Sequence, residues 1–321
     1  MRLLYPDRIL HVLAETEAAN YPVENIQDNY PKHYWQATSG TSFLRLHVNS
    51  QASGIAIANT NANQVDITIK EIVFGTSTTI SSGKLIDTGA SFLSGSITAG
   101  DFVWNHTDQT HTTVVSVDSD SQITLTANIF TSTGKEYSIE IGDIVAKTTY
   151  DLGGIDSYYS LITDSGTGAI RQALGFAVGY VYGYQYYKHN ILIEFSSSED
   201  VHAGVVRAGT TVEFSDPEYG LQEGLRDFSI IKELNNGAIY VRKRNVVKTY
   251  SGKIIVERDR KFYEFMREII QLNGPMPIFW WVSTNLTNTD WIVFAKPEGL
   301  PTGNHAYFSH SEIDFNIQEV V

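Results

Sequence analysis

Apolar and polar residues alternate along many short stretches of this chain. In Phe43-Leu44-Arg45-Leu46-His47-Val48 and Val65-Asp66-Ile67-Thr68-Ile69, every second residue is apolar, which predicts strands with one buried and one wet face. His189-Asn190-Ile191-Leu192-Ile193-Glu194-Phe195 and the stretch from Tyr250 to Val256 repeat the pattern. Near the end, Ile313, Phe315 and Ile317 alternate with Asp314, Asn316 and Gln318, predicting a closing strand. The period changes once. Phe262, Phe265, Met266, Ile269 and Ile270 follow the spacing of one helical face, between Asp259 and the break Asn273-Gly274-Pro275, so a helix is predicted over about Asp259 to Leu272. The aromatic run Pro277-Ile278-Phe279-Trp280-Trp281 and then Trp291-Ile292-Val293-Phe294-Ala295 follow. The pattern predicts a mainly β chain with one packed helix.

Between Gly75 and about Ala146 the composition turns to Ser, Thr, Gly and Asp, with Lys84 and Lys135 as the basic residues against eight acidic ones. Thr113-Val114-Val115-Ser116-Val117 and Gln122-Ile123-Thr124-Leu125 are short β runs between turn residues, so this stretch is predicted as an inserted small β barrel or sandwich. Gly100-Asp101-Phe102-Val103 returns as Gly142-Asp143-Ile144-Val145, a match too short to count as a repeat. The strand at 189–195 restores the pattern of the first seventy residues. The expected organisation is therefore a discontinuous first domain (1–74 plus 147–202), an inserted domain (75–146) and a C-terminal sheet-plus-helix domain (203–321). The Gly- and Tyr-rich stretch 166–187 receives no role in this organisation.

Composition narrows the function classes. A formal charge of -13 argues against general affinity for phosphate backbones, which needs clustered Lys and Arg, so nucleic acid is not an expected partner. The absence of cysteine removes disulfides and thiolate zinc sites and favours synthesis in a reducing cytosol. Asp7 and Arg8 interrupt any apolar run at the start, and no window reaches the roughly 20 apolar residues of a membrane span, so no membrane insertion is expected.

Motifs for chemistry are missing. The nine histidines, among them His33, His47, His106, His111 and His189, show no metal-ligand spacing, and Asp118, Asp120 and Asp143 sit in no calcium loop, so neither metal nor cofactor is expected. Gly166-Thr167-Gly168 is followed by Arg171 where a dinucleotide fingerprint needs glycine, and there is no nucleophile elbow or Walker sequence. No catalytic residue is assigned, and the chain is not expected to be an enzyme. A polysaccharide depolymerase would need a long repeat β-helix, which the pattern lacks.

Two aromatic groups remain. His33, Tyr34 and Trp35, with the tyrosines around 180 to 187, are candidates for a carbohydrate contact, since aromatic faces pack on pyranose rings; the competing and preferred reading of Trp35 is a core anchor of the first sheet. Trp280 and Trp281 point to opposite faces of one strand. One is expected in the core against the helix and the other, with Trp291, either in an assembly interface or in a two-sided core.

Val23-Glu24-Asn25-Ile26-Gln27-Asp28 followed by Tyr34-Trp35-Gln36-Ala37, with Ile55-Ala56-Ile57-Ala58-Asn59-Thr60-Asn61-Ala62, resembles the entry of discoidin-like (galactose-binding-like) domains in tailed-bacteriophage tail proteins. Lys84 to Phe92 and Gly100 to Asn105 resemble a small β module inserted in phage virion proteins, and Ala203 through Gln318 is similar to the sheet-plus-helix part of distal tail or tail-tip proteins. The resemblance implies a discoidin-like β-sandwich and a non-enzymatic structural part of the tail tip or baseplate. That part would be a homo-oligomeric ring, hexamer or trimer, joining the tail tube or hub to receptor-binding parts such as fibres. It further implies residence in the virion tail after assembly in the host bacterial cytoplasm. The alternative is a carbohydrate-binding adhesin that contacts a host surface glycan. The resemblance transfers no sugar-binding residues.

Overall fold

The computed structural model describes residues 1–49, 52, 54–151, 161–164, 188–218, 220–233, 239–283, 292–305 and 307–320. The fold is mainly β, built from antiparallel sheets with one short packed helix. The stretch 166–187 and Trp291 lie outside the described residues.

Two large sheets form the molecule. In the first, the strands run in the order Leu161–Asp164, Gly54–Thr60, His202–Glu213, Arg2–Asp7, Ile278–Trp281, Ile292–Pro297, His310–Glu319, Val246–Glu257 and Gln222–Asp227. The N-terminal strand lies in the middle: Leu3 faces Val212 on one side and Trp280 on the other. The strand that follows residue 202 consequently pairs with Gly54–Thr60 as well as with the N-terminal strand, and the sheet runs unbroken from the N-terminal sandwich into the C-terminal part. Gly204 makes this possible, because an added methyl there would collide with the Pro31 and Ala58 carbonyls.

The second sheet begins with Ile9–Ala14, Thr41–Val48, His189–Ser196 and Gln64–Thr76, the host half. The alternation read from the sequence is realised here, with Leu44, Leu46, Val65, Ile67, Ile191 and Ile193 buried on one face against Ile55, Ile57 and Val206 of the first sheet. This is a two-layer sandwich, in which each sheet covers the apolar face of the other.

Gln64–Thr76 and its partner Glu136–Asp151 then run on beyond the sandwich as a long ribbon. Residues 64–70 of the first strand also pair with the host strand His189–Ser196, whereas 71–76 pair with the ribbon partner. At the distal end, Phe102–Asn105, Thr110–Ser119, Gln122–Leu125, Lys84–Ile86 and Thr79–Ser81 extend the sheet around a separate core of Leu85, Phe92, Val103, Ile123, Phe130 and Tyr137. Inside it the Tyr137 hydroxyl donates to Asp87 at 2.8 Å. Burial and this carboxylate push the phenol well above its ordinary pKa.

The helix packs beneath the C-terminal sheet. Its first turn, Arg260–Tyr263, is α-helical and its remainder, Glu264–Gln271, widens to π-helical winding. Phe265, Ile269 and Ile270 are buried, as their spacing requires. Asp259 holds the cap position without a side-chain cap bond, while Gly274 takes φ +61°, the left-handed turn that ends many helices.

Candidate assembly interface

Residues 222–233 and 239–246 form an arm whose composition differs from the rest of the described surface. Gln222–Asp227 is the edge strand of the first sheet, paired in register with Val246–Glu257 through Gly224↔Thr249 and Asp227↔Val246. Beyond it, Ile230–Glu233 and Ile239–Arg242 form a two-stranded ribbon that makes a sheet of its own. The register sets Ile231 opposite Val241 and Glu233 opposite Ile239, so these four share one face. Lys232, Tyr240, Ile230 and Arg242 share the other.

That first face is apolar apart from Glu233, and wet. Ile231 is 70% exposed, Ile239 68% and Val241 58%, and at the base of the arm Leu225 reaches 73%. An isolated two-stranded ribbon is marginal in water, and scattered exposed apolar residues are ordinary only when they stand singly. Here they stand together. The arm also inverts the charge of the chain: Arg226, Lys232, Arg242, Lys243 and Arg244 stand against Glu223, Asp227 and Glu233, within a protein of net charge -13. At the base a groove of about 400 Å³ opens between Tyr30, Phe228, Arg244, Val247, Lys296 and Val320. The arm was not anticipated from the sequence. Its signal is present as two apolar runs, Ile230-Ile231 and Ile239-Tyr240-Val241, on either side of Asn235-Asn236-Gly237, the turn dipeptide of hairpins.

Trp280 and Trp281, the two described tryptophans considered for assembly, face inward, so their place in an interface is corrected and the two-sided core, the other reading, holds for them. Trp280 is fully buried, donates its indole N–H to the Ala295 carbonyl at 3.0 Å and meets Phe265 of the helix edge-on. Trp281 points to the other face, as alternation requires, but is only 8% exposed, packed among Leu4, Ile292 and Phe294 beneath the Arg2 guanidinium. The two-sided core is what the strand builds.

The expected carbohydrate contact is divided. Trp35 is corrected to a core anchor: it is fully buried, donates to the Thr16 carbonyl at 3.0 Å and packs on Phe195. Its ring offers no face to a ligand. Tyr34 is half-buried in a parallel stack with Tyr21, centroids 4.8 Å apart, and His202 meets it at a tilt of 40°, also 4.8 Å away. His33 stands in solvent, 3.0 Å from Asp28 and beside the exposed Tyr30. Trp35→Ala is expected to cost about 3–5 kcal/mol of stability, read as a lower urea midpoint; an unchanged midpoint would return the ring to the surface.

Among the described residues no group of three or more His, Asp or Glu is placed to hold a metal ion, and no helix is long and apolar enough to cross a membrane.

No family model and no curated protein matches this chain. Among solved structures, one similar chain comes from a crystal structure of reduced XRCC1 bound to the DNA polymerase beta catalytic domain. It has 10% identity and a TM-score of 0.32, covering 64% of this chain and 97% of its own. A similarity of that size carries no argument about function.

Proposed function

We propose that this chain is a structural protein of the tailed-phage virion, part of the tail tip or baseplate, which self-associates through its C-terminal part. In this reading it links the tail tube or hub to receptor-binding parts. The observation that carries it is the arm, an apolar ribbon of reversed charge on an acidic body. A basic, apolar projection fits an acidic second copy, since opposite potentials draw the surfaces together and burial of Ile231, Ile239 and Val241 holds them. A cyclic arrangement lets every arm find a neighbour. The resemblance to tail-tip proteins supports the virion setting.

Light scattering of the purified protein, with images of single particles, tests this. A closed ring of three or six copies is expected at low salt, loosening as salt rises; a monomer at micromolar concentration in low salt ends the proposal. The adhesin reading is favoured by a separate observation, the Tyr21–Tyr34–His202 stack with Tyr30 and His33 exposed nearby. It expects glycan binding that Tyr30→Ala and Tyr34→Ala weaken together.

A further inference from the structure

Three histidines from three different elements stack where the inserted module meets the host sheet. His47, on Thr41–Val48, and His106, in the turn after Phe102–Asn105, have ring centroids 3.9 Å apart with planes 29° from parallel. His11, on Ile9–Ala14, lies 5.1 Å from His106 and 6.1 Å from His47. Trp104 closes one side, 4.6 Å from His106. His47 and His106 are each only 3% exposed, and His11 is half-buried.

The bonds around the stack suit neutral rings. His47 Nδ1 donates to Asn190 Oδ1 at 2.8 Å, and the Asn190 amide donates to Ser138 Oγ and Glu140 Oε1 at 3.2 and 3.1 Å. His106 Nε2 meets Ser138 Oγ at 2.9 Å, while its Nδ1 is buried without a hydrogen-bond partner. The Gln109 amide donates to the His106 carbonyl and reaches His11 Nδ1 at 3.0 Å, so that nitrogen must be the bare, accepting one. A proton on His11 Nδ1 would set donor against donor. The charged and titratable groups around the stack are Arg45, paired with Glu140, then Lys188 and His189 before and on the host strand, and Glu136 on the ribbon. Glu140 is already paired with Arg45, and Lys188 and His189 add to the cost of a new positive charge on His47, whereas Glu136 offsets part of the cost of burial at His11.

The connection on the other side is built to bend. The ribbon that joins module to host has register shifts between Glu140 and Gly142, Asp143 and Val145, and Val145 and Thr148, and such bulges interrupt a ladder. The module has its own core and stands on this irregular ribbon, so its side contact with the host is the histidine stack together with Arg45, which lies over the Phe102 ring at 3.9 Å and pairs with Glu140.

We propose that the stacked His11, His47 and His106 are an acid-released latch, holding the inserted module against the host sheet when neutral and letting it swing on the bulged ribbon when protonated. The electrostatics agree. Burial drives His47 down to about 4 and His106 to about 2, and lowers His11 as well. A released imidazole titrates near 6.5, so the latch is at full strength above that pH and weakens as pH falls toward the depressed values.

The chain has no cysteine, so two introduced thiols can report the module's position. Leu93→Cys, exposed on the module, and Tyr30→Cys, exposed on the host, carry spin labels for a distance measurement. At pH 7.5 one narrow distance is expected, and at pH 4.5 a broadened or displaced one that recovers on neutralisation, with far-ultraviolet circular dichroism unchanged. His47→Gln with His106→Asn, which cannot gain these charges, is expected to stay narrow at both. His11→Leu, at a half-buried site, is the second variant and, with one proton fewer driving release, is expected to move the midpoint to lower pH. A narrow distance in the unsubstituted protein at pH 4.5, broadening only alongside loss of circular dichroism, or a midpoint unmoved by His11→Leu each overturns the latch.

Discussion

Replacing Ile231 with Glu and Val241 with Lys is expected to leave a folded protein that associates at least about 100-fold more weakly. The two positions face each other across the ribbon, so the new side chains form a cross-strand pair of opposite charge, which supports the ribbon itself. What is lost is the apolar face. Both residues are largely exposed in the single chain, so their removal leaves no internal cavity and costs little folding energy. If a neighbouring copy buries them, each contributes about 1.5–3 kcal/mol to association. Together they account for roughly 3–6 kcal/mol, two to four powers of ten in the dissociation constant. Sedimentation or light scattering across a dilution series measures this. Equal association of variant and unsubstituted protein would remove the arm from the interface.

The opposite outcome is expected for Trp280→Ala, in which folding should fail before assembly is in question. The ring is fully buried between Phe265 and Phe315, with centroids 6.2 and 6.3 Å away, and its N–H satisfies the Ala295 carbonyl. Truncation of such a ring costs about 3–5 kcal/mol, a large part of the 5–15 kcal/mol that typically separates folded from unfolded. The same direction is expected for Trp281→Ala, because Trp281 too is packed inside the chain. Urea unfolding followed by circular dichroism gives the comparison. Should Trp280→Ala keep its midpoint and lose its oligomer, the tryptophans would belong to the interface after all.

The difference between these two expected results follows from what a strand states locally in its sequence and what it does not. Alternation at 43–48, 65–69 and 189–195 carried the host sheet, because period-two burial is a local property that each strand states for itself. The helical spacing of Phe265, Ile269 and Ile270 was legible for the same reason, and even the opposite orientations of Trp280 and Trp281 followed from the pleat. What covers each face is not local. Trp281 lies near Leu4 and Arg2, residues almost 280 positions earlier, and nothing in the run Phe279-Trp280-Trp281 announces that an N-terminal strand will lie beside it. Trp35 was open to two readings for that reason, and only the Thr16 carbonyl and Phe195 decide between them. The histidine stack is a sharper case: His11, His47 and His106 have no common spacing, and only the ribbon that carries the module back over the host sheet brings them together.

The placement of Arg2–Asp7 between His202–Glu213 and Ile278–Trp281 has a bearing on how a cell must make this protein. At translation speeds of about 5–20 residues per second, the N-terminal strand is made roughly 15–55 s before its last neighbour is synthesised. Throughout that wait Leu3 and Leu4 are uncovered on a nascent chain, an invitation to chaperones and to premature pairing with other polysomes' products. A weak promoter at low temperature, which puts fewer nascent chains side by side and weakens apolar association between them, should accordingly raise the soluble yield.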